Sequence, residues 1–129
     1  MKILVVEDDE NSRALQHVLL EADGFEVVSA ANGREALPLL QVAPLPDLIL
    51  SDIMMPEMDG YALCRYVRND PALAGIPFVF YTATYTEDAD RQLAEDLGAT
   101  RFLIKPMDPG ELLGQIRQLL AARPPAPKP

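Results

Sequence analysis

The chain has 129 residues, 49% of them apolar, and 11 Lys and Arg against 20 Asp and Glu give a formal net charge of −9. That length suits one domain with one core, and the apolar share lets burial offset chain entropy, which argues against disorder. The acidity argues against direct binding of DNA or RNA by this domain, and no run of about 18 apolar residues is present to span a membrane.

Taken in order, short apolar runs alternate with amphipathic stretches. The first run, Ile3–Val6, reads as a strand and is followed at once by Glu7-Asp8-Asp9-Glu10. A signal peptide needs a longer apolar stretch and a small-residue cleavage site, so none is expected here. Leu15, Val18, Leu19 and Ala22 predict a first helix that ends near Gly24. A second strand is predicted over Phe25–Ser29. Asn32 can cap a second helix, in which Pro38 should force a bend or a late start, because proline loses a backbone hydrogen bond and its ring conflicts with the preceding turn. Leu48–Leu50 is the third strand, and Ala62, Leu63, Tyr66 and Val67 mark a third helix after Gly60. Phe78–Tyr81 is the fourth strand. Thr86 is a candidate cap for a fourth helix that carries Leu93, Ala94 and Leu97 and stops at Gly98. After the fifth strand, Arg101–Ile104, the run Asp108-Pro109-Gly110-Glu111 offers an N-cap, a proline at the first helical position and a glutamate three residues after the cap. Leu112, Leu113, Ile116, Leu119 and Leu120 then share one face. The tail, 123–129, is proline-rich and reads as an extended linker that leads to, or was cut before, a further module.

Five short runs rich in Val, Ile, Leu and Phe look like parallel strands covered on both faces. The alternation implies right-handed crossovers and an α/β fold with a five-stranded, doubly wound sheet. In such sheets ligands bind beyond the C-terminal ends of the strands. The residues placed there are Glu7 and Asp8, Asp52, Thr82, and Lys105. Three close carboxylates repel one another unless a cation joins them. With oxygen ligands and no His or Cys nearby, the cation should be hard, and Mg²⁺ fits. A carboxylate can also act as a nucleophile toward a phosphoryl group, and Lys105 and Thr82 would supply charge and a donor for its oxygens.

In Ile3-Leu4-Val5-Val6-Glu7-Asp8, Asp52-Ile53-Met54-Met55-Pro56 with Gly60, Thr82-Ala83 and Lys105-Pro106, the chain resembles the receiver domain of two-component response regulators, of the chemotaxis-regulator type. The resemblance covers residues 1–122 and leaves 123–129 as a proline-rich linker or tail. It implies a flavodoxin-like sheet of strand order 2-1-3-4-5 with helices on both faces. It also implies that Asp52 is the phosphoacceptor, that Asp8 and Asp52 ligate Mg²⁺ with Glu7 holding a metal-bound water, and that the Met54 carbonyl completes the protein's share. Lys105 and Thr82 would serve the phosphoryl group, Thr82 and Phe102 would form the switch, and Lys105-Pro106 would be a cis peptide. The implied donor is a phosphohistidine on a histidine kinase or histidine phosphotransfer protein. The receiver would catalyse its own phosphorylation and dephosphorylation, and would signal by changing shape at the fourth helix, fifth strand and fifth helix. A homodimer through that face, and a covalent C-terminal output or sensory module, are compatible with it. A cytoplasmic location is expected, and the single cysteine, Cys64, fits a reducing compartment.

Three departures from the commonest pattern stand out. Glu7 replaces the more usual first aspartate, Phe102 stands where tyrosine is frequent, and Met54 and Thr84 occupy positions that tune dephosphorylation. Other residues read as structural: Asp9 and Glu10 as favourable charges at a helix N-terminus, His17 as a partly exposed helix residue, Cys64 as a small packed one. An aspartate-nucleophile phosphohydrolase would want its nucleophile after the first strand with a second Asp two residues on. A nucleotide-binding module would want glycines where this chain places acids. A degenerate receiver would lack part of the intact acid, threonine and lysine set.

Overall fold

The computed structural model describes residues 1–84 and 87–122. Ten elements alternate along the chain: β1 (Lys2–Val6), α1 (Glu10–Ala22), β2 (Glu26–Ala30), α2 (Gly33–Leu39), β3 (Leu48–Ser51), α3 (Gly60–Asn69), β4 (Phe78–Thr82), α4 (Asp88–Asp96), β5 (Arg101–Ile104) and α5 (Pro109–Ala122). The strands form one sheet in the order β2-β1-β3-β4-β5, and each neighbouring pair is parallel. This is the doubly wound sheet expected from the alternation, in the flavodoxin-like strand order that the resemblance implies.

The side-chain period of two along a strand sorts the core into two layers. Leu4, Val6, Ile49, Phe78 and Phe80 point to the layer covered by Ala36 of α2 and Leu40 at its C-cap, Leu63, Cys64 and Val67 of α3, and Ala94 of α4. Ile3, Val5, Leu48, Leu50, Val79, Tyr81 and Leu103 point to the layer covered by Leu20 of α1 and Leu112, Ile116, Leu119 and Leu120 of α5. Burial on both faces is why β3 and β4 contain no exposed position. Among the described residues no helix is long and apolar enough to cross a membrane.

The caps follow from short polar side chains. Asp9 accepts from the Ser12 N–H at 2.8 Å, Asn32 from Glu35 at 2.9 Å and Asp59 from Ala62 at 2.9 Å. Asp108 accepts from Gly110 at 3.0 Å and starts α5 as its sequence predicts. Gly24 closes the turn after α1 at φ +94°, a conformation that a Cβ would strain.

Several local expectations need correction. Leu15 and Val18 are 69% and 64% exposed and Ala22 is exposed; α1 instead buries Leu20 and Gln16, with Leu19 half-buried. On α4, Ala94 is buried and Leu97 packs against the core, but Leu93 is exposed. The second helix does not start late. It begins at Gly33, directly after its Asn32 cap, and accommodates Pro38 by ending at Leu39. The proline thus sits in the last turn, where little helix remains to be broken. β2 is shifted by one residue, starting at Glu26, because Phe25 belongs to the turn whose N–H donates to the Leu20 carbonyl. The predicted Thr86 cap and the tail 123–129 lie outside the described residues; within them, α4 opens at Glu87, whose N–H donates to the Asp90 carboxylate at 3.1 Å.

Candidate functional site

The C-terminal ends of β1, β3, β4 and β5 meet on one rim because these four strands are adjacent and parallel. The backbone hands the site residues to that rim. The Glu7 N–H extends the β1–β2 ladder to the Ala30 carbonyl at 3.0 Å, and the Asp52 N–H extends the β1–β3 ladder to the Val6 carbonyl at 2.9 Å. The Lys105 N–H donates to the Thr82 carbonyl at 2.9 Å, which fixes the exit of β5 beside β4. The Lys105–Pro106 peptide is cis, as is Ala43–Pro44, which nothing in the sequence signalled.

Beneath Asp52 the chain must turn back sharply into α3. The Gly60 N–H donates to the Ile53 carbonyl at 2.8 Å, and a Cβ on Gly60 would lie 2.9 Å from the Ile53 Cα and closer still to the Asp52 carbonyl. Only glycine leaves room for that approach. Glu57 takes φ +65° in the same loop, and the buried Asn32 amide donates to its carboxylate at 3.3 Å.

Glu7, Asp8 and Asp52 each offer an oxygen, and these atoms lie within 4.8 Å of one another. Glu7 is buried, Asp52 half-buried and Asp8 exposed, so the group opens to solvent on one side. The Lys105 amine donates to Glu7 Oε1 and, at 3.0 Å, to Asp52 Oδ2. The other Asp52 oxygen accepts from the Ile53 N–H at 2.6 Å. Burial raises the Glu7 pKa; the bond from Lys105 opposes this, and the Asp52 charge adds to the rise. Burial pulls Lys105 down, but its bonds to Glu7 and Asp52 prevail and hold it above the usual lysine value. Three carboxylates against one ammonium, with oxygen donors alone, match the needs of a hard divalent cation such as Mg²⁺.

The remaining expected residues lie close by but are engaged elsewhere. Thr82 is buried, and its hydroxyl meets Thr84 Oγ1 at 3.1 Å and accepts from the Thr84 N–H at 3.1 Å. Met54 is 56% exposed on the loop after β3. Phe102 is half-buried, edge-on to Phe80 with ring centroids 6.4 Å apart. The Arg91 guanidinium lies 5.2 Å above the Phe102 ring centroid, a cation–π contact between α4 and β5. Sequence reasoning missed Arg91, since only the packing of α4 on β5 brings the two together. It also missed Ser12, Arg13 and Gln16. Ser12 donates to Glu7 Oε1 at 2.9 Å, and Arg13 donates to the Glu7 carbonyl at 2.8 Å. Their signal was position: Ser12 and Arg13 in the first turn of the helix that follows the acids, and Gln16 one turn on from Ser12.

Comparison with known proteins places this geometry in a class. The family model for the response regulator receiver domain matches residues 3–117. The chain therefore belongs to that family, the receivers of two-component signalling. It is 44% identical over 125 residues to an uncharacterized 14.6 kDa protein from the sodA1 3′ region of Leptolyngbya boryana, covering 97% of this chain and 94% of that one. It is 39% identical over 121 residues to the transcriptional regulatory protein GltR of Pseudomonas aeruginosa, covering 92% of this chain but 48% of that protein. Among solved structures, the signal receiver domain of a signal transduction histidine kinase from Syntrophus aciditrophicus superposes with a TM-score of 0.86 at 35% identity, covering 99% of this chain and 97% of that one.

Proposed function

We propose that this receiver, residues 1–122 with 123–129 as a proline-rich linker or tail, accepts a phosphoryl group on Asp52 from a phosphohistidine of a histidine kinase or histidine phosphotransfer protein. The observation that carries the reading is the Lys105 amine, bonded at once to Glu7 and Asp52 from a different strand end, with Asp8 beside them. Mg²⁺, when held by Asp8, Asp52 and the Met54 carbonyl, with Glu7 on a metal-bound water, would supply the charge that offsets the carboxylates and the incoming phosphoryl group.

Asp52 is the nucleophile. Its two oxygens are held by Lys105 and by the Ile53 N–H, so the carboxylate is oriented before any donor arrives. The Lys105 ammonium is a donor only and follows negative charge as it builds on the phosphoryl oxygens. Thr82 then exchanges Thr84 for a phosphoryl oxygen, and Phe102, on the adjacent strand and paired with Phe80 in register, responds to the space left behind. The equilibrium moves only as far as the phosphoryl group distinguishes the two arrangements. An apolar groove lined by Leu15, Leu19, Met107, Pro109 and Leu112 opens beside Lys105 and suits a docked helix of the phosphodonor.

Intact-mass spectrometry after acetyl phosphate and Mg²⁺ tests the reading. Wild type should gain one phosphoryl group and Asp52→Asn none. A gain that persists in Asp52→Asn would put the acceptor elsewhere.

A further inference from the structure

We propose that Ser12 is a positioning residue for the transfer to Asp52, a role that rests on the phosphoacceptor reading above. Its hydroxyl contacts three groups at once: Glu7 Oε1 at 2.9 Å, Lys105 Nζ at 3.3 Å and Gln16 Nε2 at 3.1 Å. A hydroxyl has one donor and two acceptor sites, an ammonium and an amide nitrogen only donate, and a carboxylate only accepts. The assignment is therefore unique. Ser12 donates to Glu7 and accepts from Lys105 and Gln16, and its capacity is full.

Gln16 gives the second observation. It is 5% exposed on a helix whose other buried residue is Leu20. A buried amide needs a partner, and Gln16 finds it one turn back in the Ser12 oxygen, at the i,i+4 spacing that stacks side chains on one helix face. Gln16 thereby orients the hydroxyl that touches the site, while its own amide donates to Ser12.

The arrangement matters most when Lys105 moves. In the resting geometry Glu7 Oε1 is shared by Lys105 and Ser12. As the Asp52 oxygen bonds to phosphorus and the donor leaves with the electron pair of its broken bond to phosphorus, Lys105 turns toward the phosphoryl oxygens. Glu7, 1% exposed, would then lose the ammonium bonded to its Oε1. The Ser12 O–H stays on the same oxygen and keeps the carboxylate satisfied and in place. On the other side, Ser12 limits how the four-carbon stem of Lys105 wanders, so the ammonium stays near Asp52 Oδ2.

The test uses the full chain, acetyl phosphate and saturating Mg²⁺, with the rate of mass gain as the readout. Ser12→Ala should slow the limiting rate ~10-fold, as expected when a reacting group is loosened and not removed. Ser12→Thr, which restores the hydroxyl, should return the rate to within about twofold. Alanine is a better helix former than serine, so α1 should survive the change, and circular dichroism checks it. Gln16→Met keeps the buried volume, and should give a smaller loss, about threefold, if the amide only orients the hydroxyl. It is the variant to read should Ser12→Ala not fold. A wild-type rate in Ser12→Ala or, where that variant does not fold, in Gln16→Met overturns the proposal, as does an equal loss in Ser12→Ala and Ser12→Thr. A wild type that gains no mass overturns the phosphoacceptor reading and this inference with it.

Discussion

Two half-buried cations stand at opposite ends of the sheet and do different work. At the C-terminal rim Lys105 is surrounded by carboxylates, Glu7 and Asp52, with Asp8 nearby. At the other end the Arg68 guanidinium donates to the carbonyls of Gly98 at 2.8 Å, Ala74 at 3.1 Å and Ile76 at 2.6 Å, and to the Thr100 hydroxyl at 3.4 Å. Burial lowers the pKa of Arg68, because its partners are neutral, whereas carboxylates reverse that effect at Lys105. The difference separates structure from function. Arg68 ties α3 to the turns that enter β4 and β5, and its N–H groups are spent on carbonyls and a hydroxyl of the protein itself. Lys105 is outnumbered by acids, so its end of the sheet keeps a negative excess that can recruit a cation and then a phosphoryl group.

The largest expected effect breaks the structural end. Arg68→Met should leave three carbonyls without their donor and cost about 3 kcal/mol, at the lower end of what unsatisfied groups lose because the site is half-open to water. Chemical denaturation measures it, and Mg²⁺ affinity should stay at the wild-type value. An unchanged stability would mean that water replaces the guanidinium.

Next comes the acidic end. Mg²⁺ at about 100 times its dissociation constant should stabilise the protein by about 2.7 kcal/mol, because it binds the folded arrangement. Asp8→Asn should remove most of that gain while changing metal-free stability little, since Asp8 is exposed. Thermal melts with and without Mg²⁺ read both. An Asp8→Asn protein that keeps the full Mg²⁺ response would take Asp8 out of the site.

The smallest effect sharpens the comparison by pH. Cys64 is fully buried one turn before Arg68, and burial pushes its thiol from 9.0 up to about 11 while the Arg68 charge pulls the other way. The folded state holds that proton more tightly than the unfolded chain. Its contribution is therefore complete below pH 9 and is lost as pH rises toward 11. Cys64→Ala should flatten this part of the stability–pH curve, and native Cys64 should resist alkylation at pH 8 until the protein unfolds. Rapid alkylation of the folded protein would show the thiol to be reachable.

Much of the fold was legible because β3 and β4 are apolar throughout and the acids sit directly after β1 and at the end of β3. Burial on both faces leaves no alternation, so Leu48–Leu50 and Phe78–Tyr81 stand out by composition alone. Helix α1 was legible as a helix but not in its facing. Leu15 and Val18 look like core residues by pattern, yet Gln16 is the one turned inward, since its amide is needed one turn below Ser12. Helical periodicity reports how many apolar residues share a face, not whether the protein or a partner covers them. Likewise Pro38 told of a conflict, and the packing of a seven-residue helix decided that it would be met by an early stop.

By itself the sequence determined the alternation of elements, the acids after β1 and at the end of β3, the threonine at the end of β4 and the lysine that follows β5. These depend on residue types at local spacings, and local propensity and patterning are enough to read them. The tertiary structure decided which of these groups touch. Lys105 meets Glu7 across 98 positions and Asp52 across 53, and Arg91 of α4 covers Phe102 of β5. Such pairings follow from strand order and helix packing, which bring distant segments within bonding distance, and no local pattern along the chain encodes which side chain will be there.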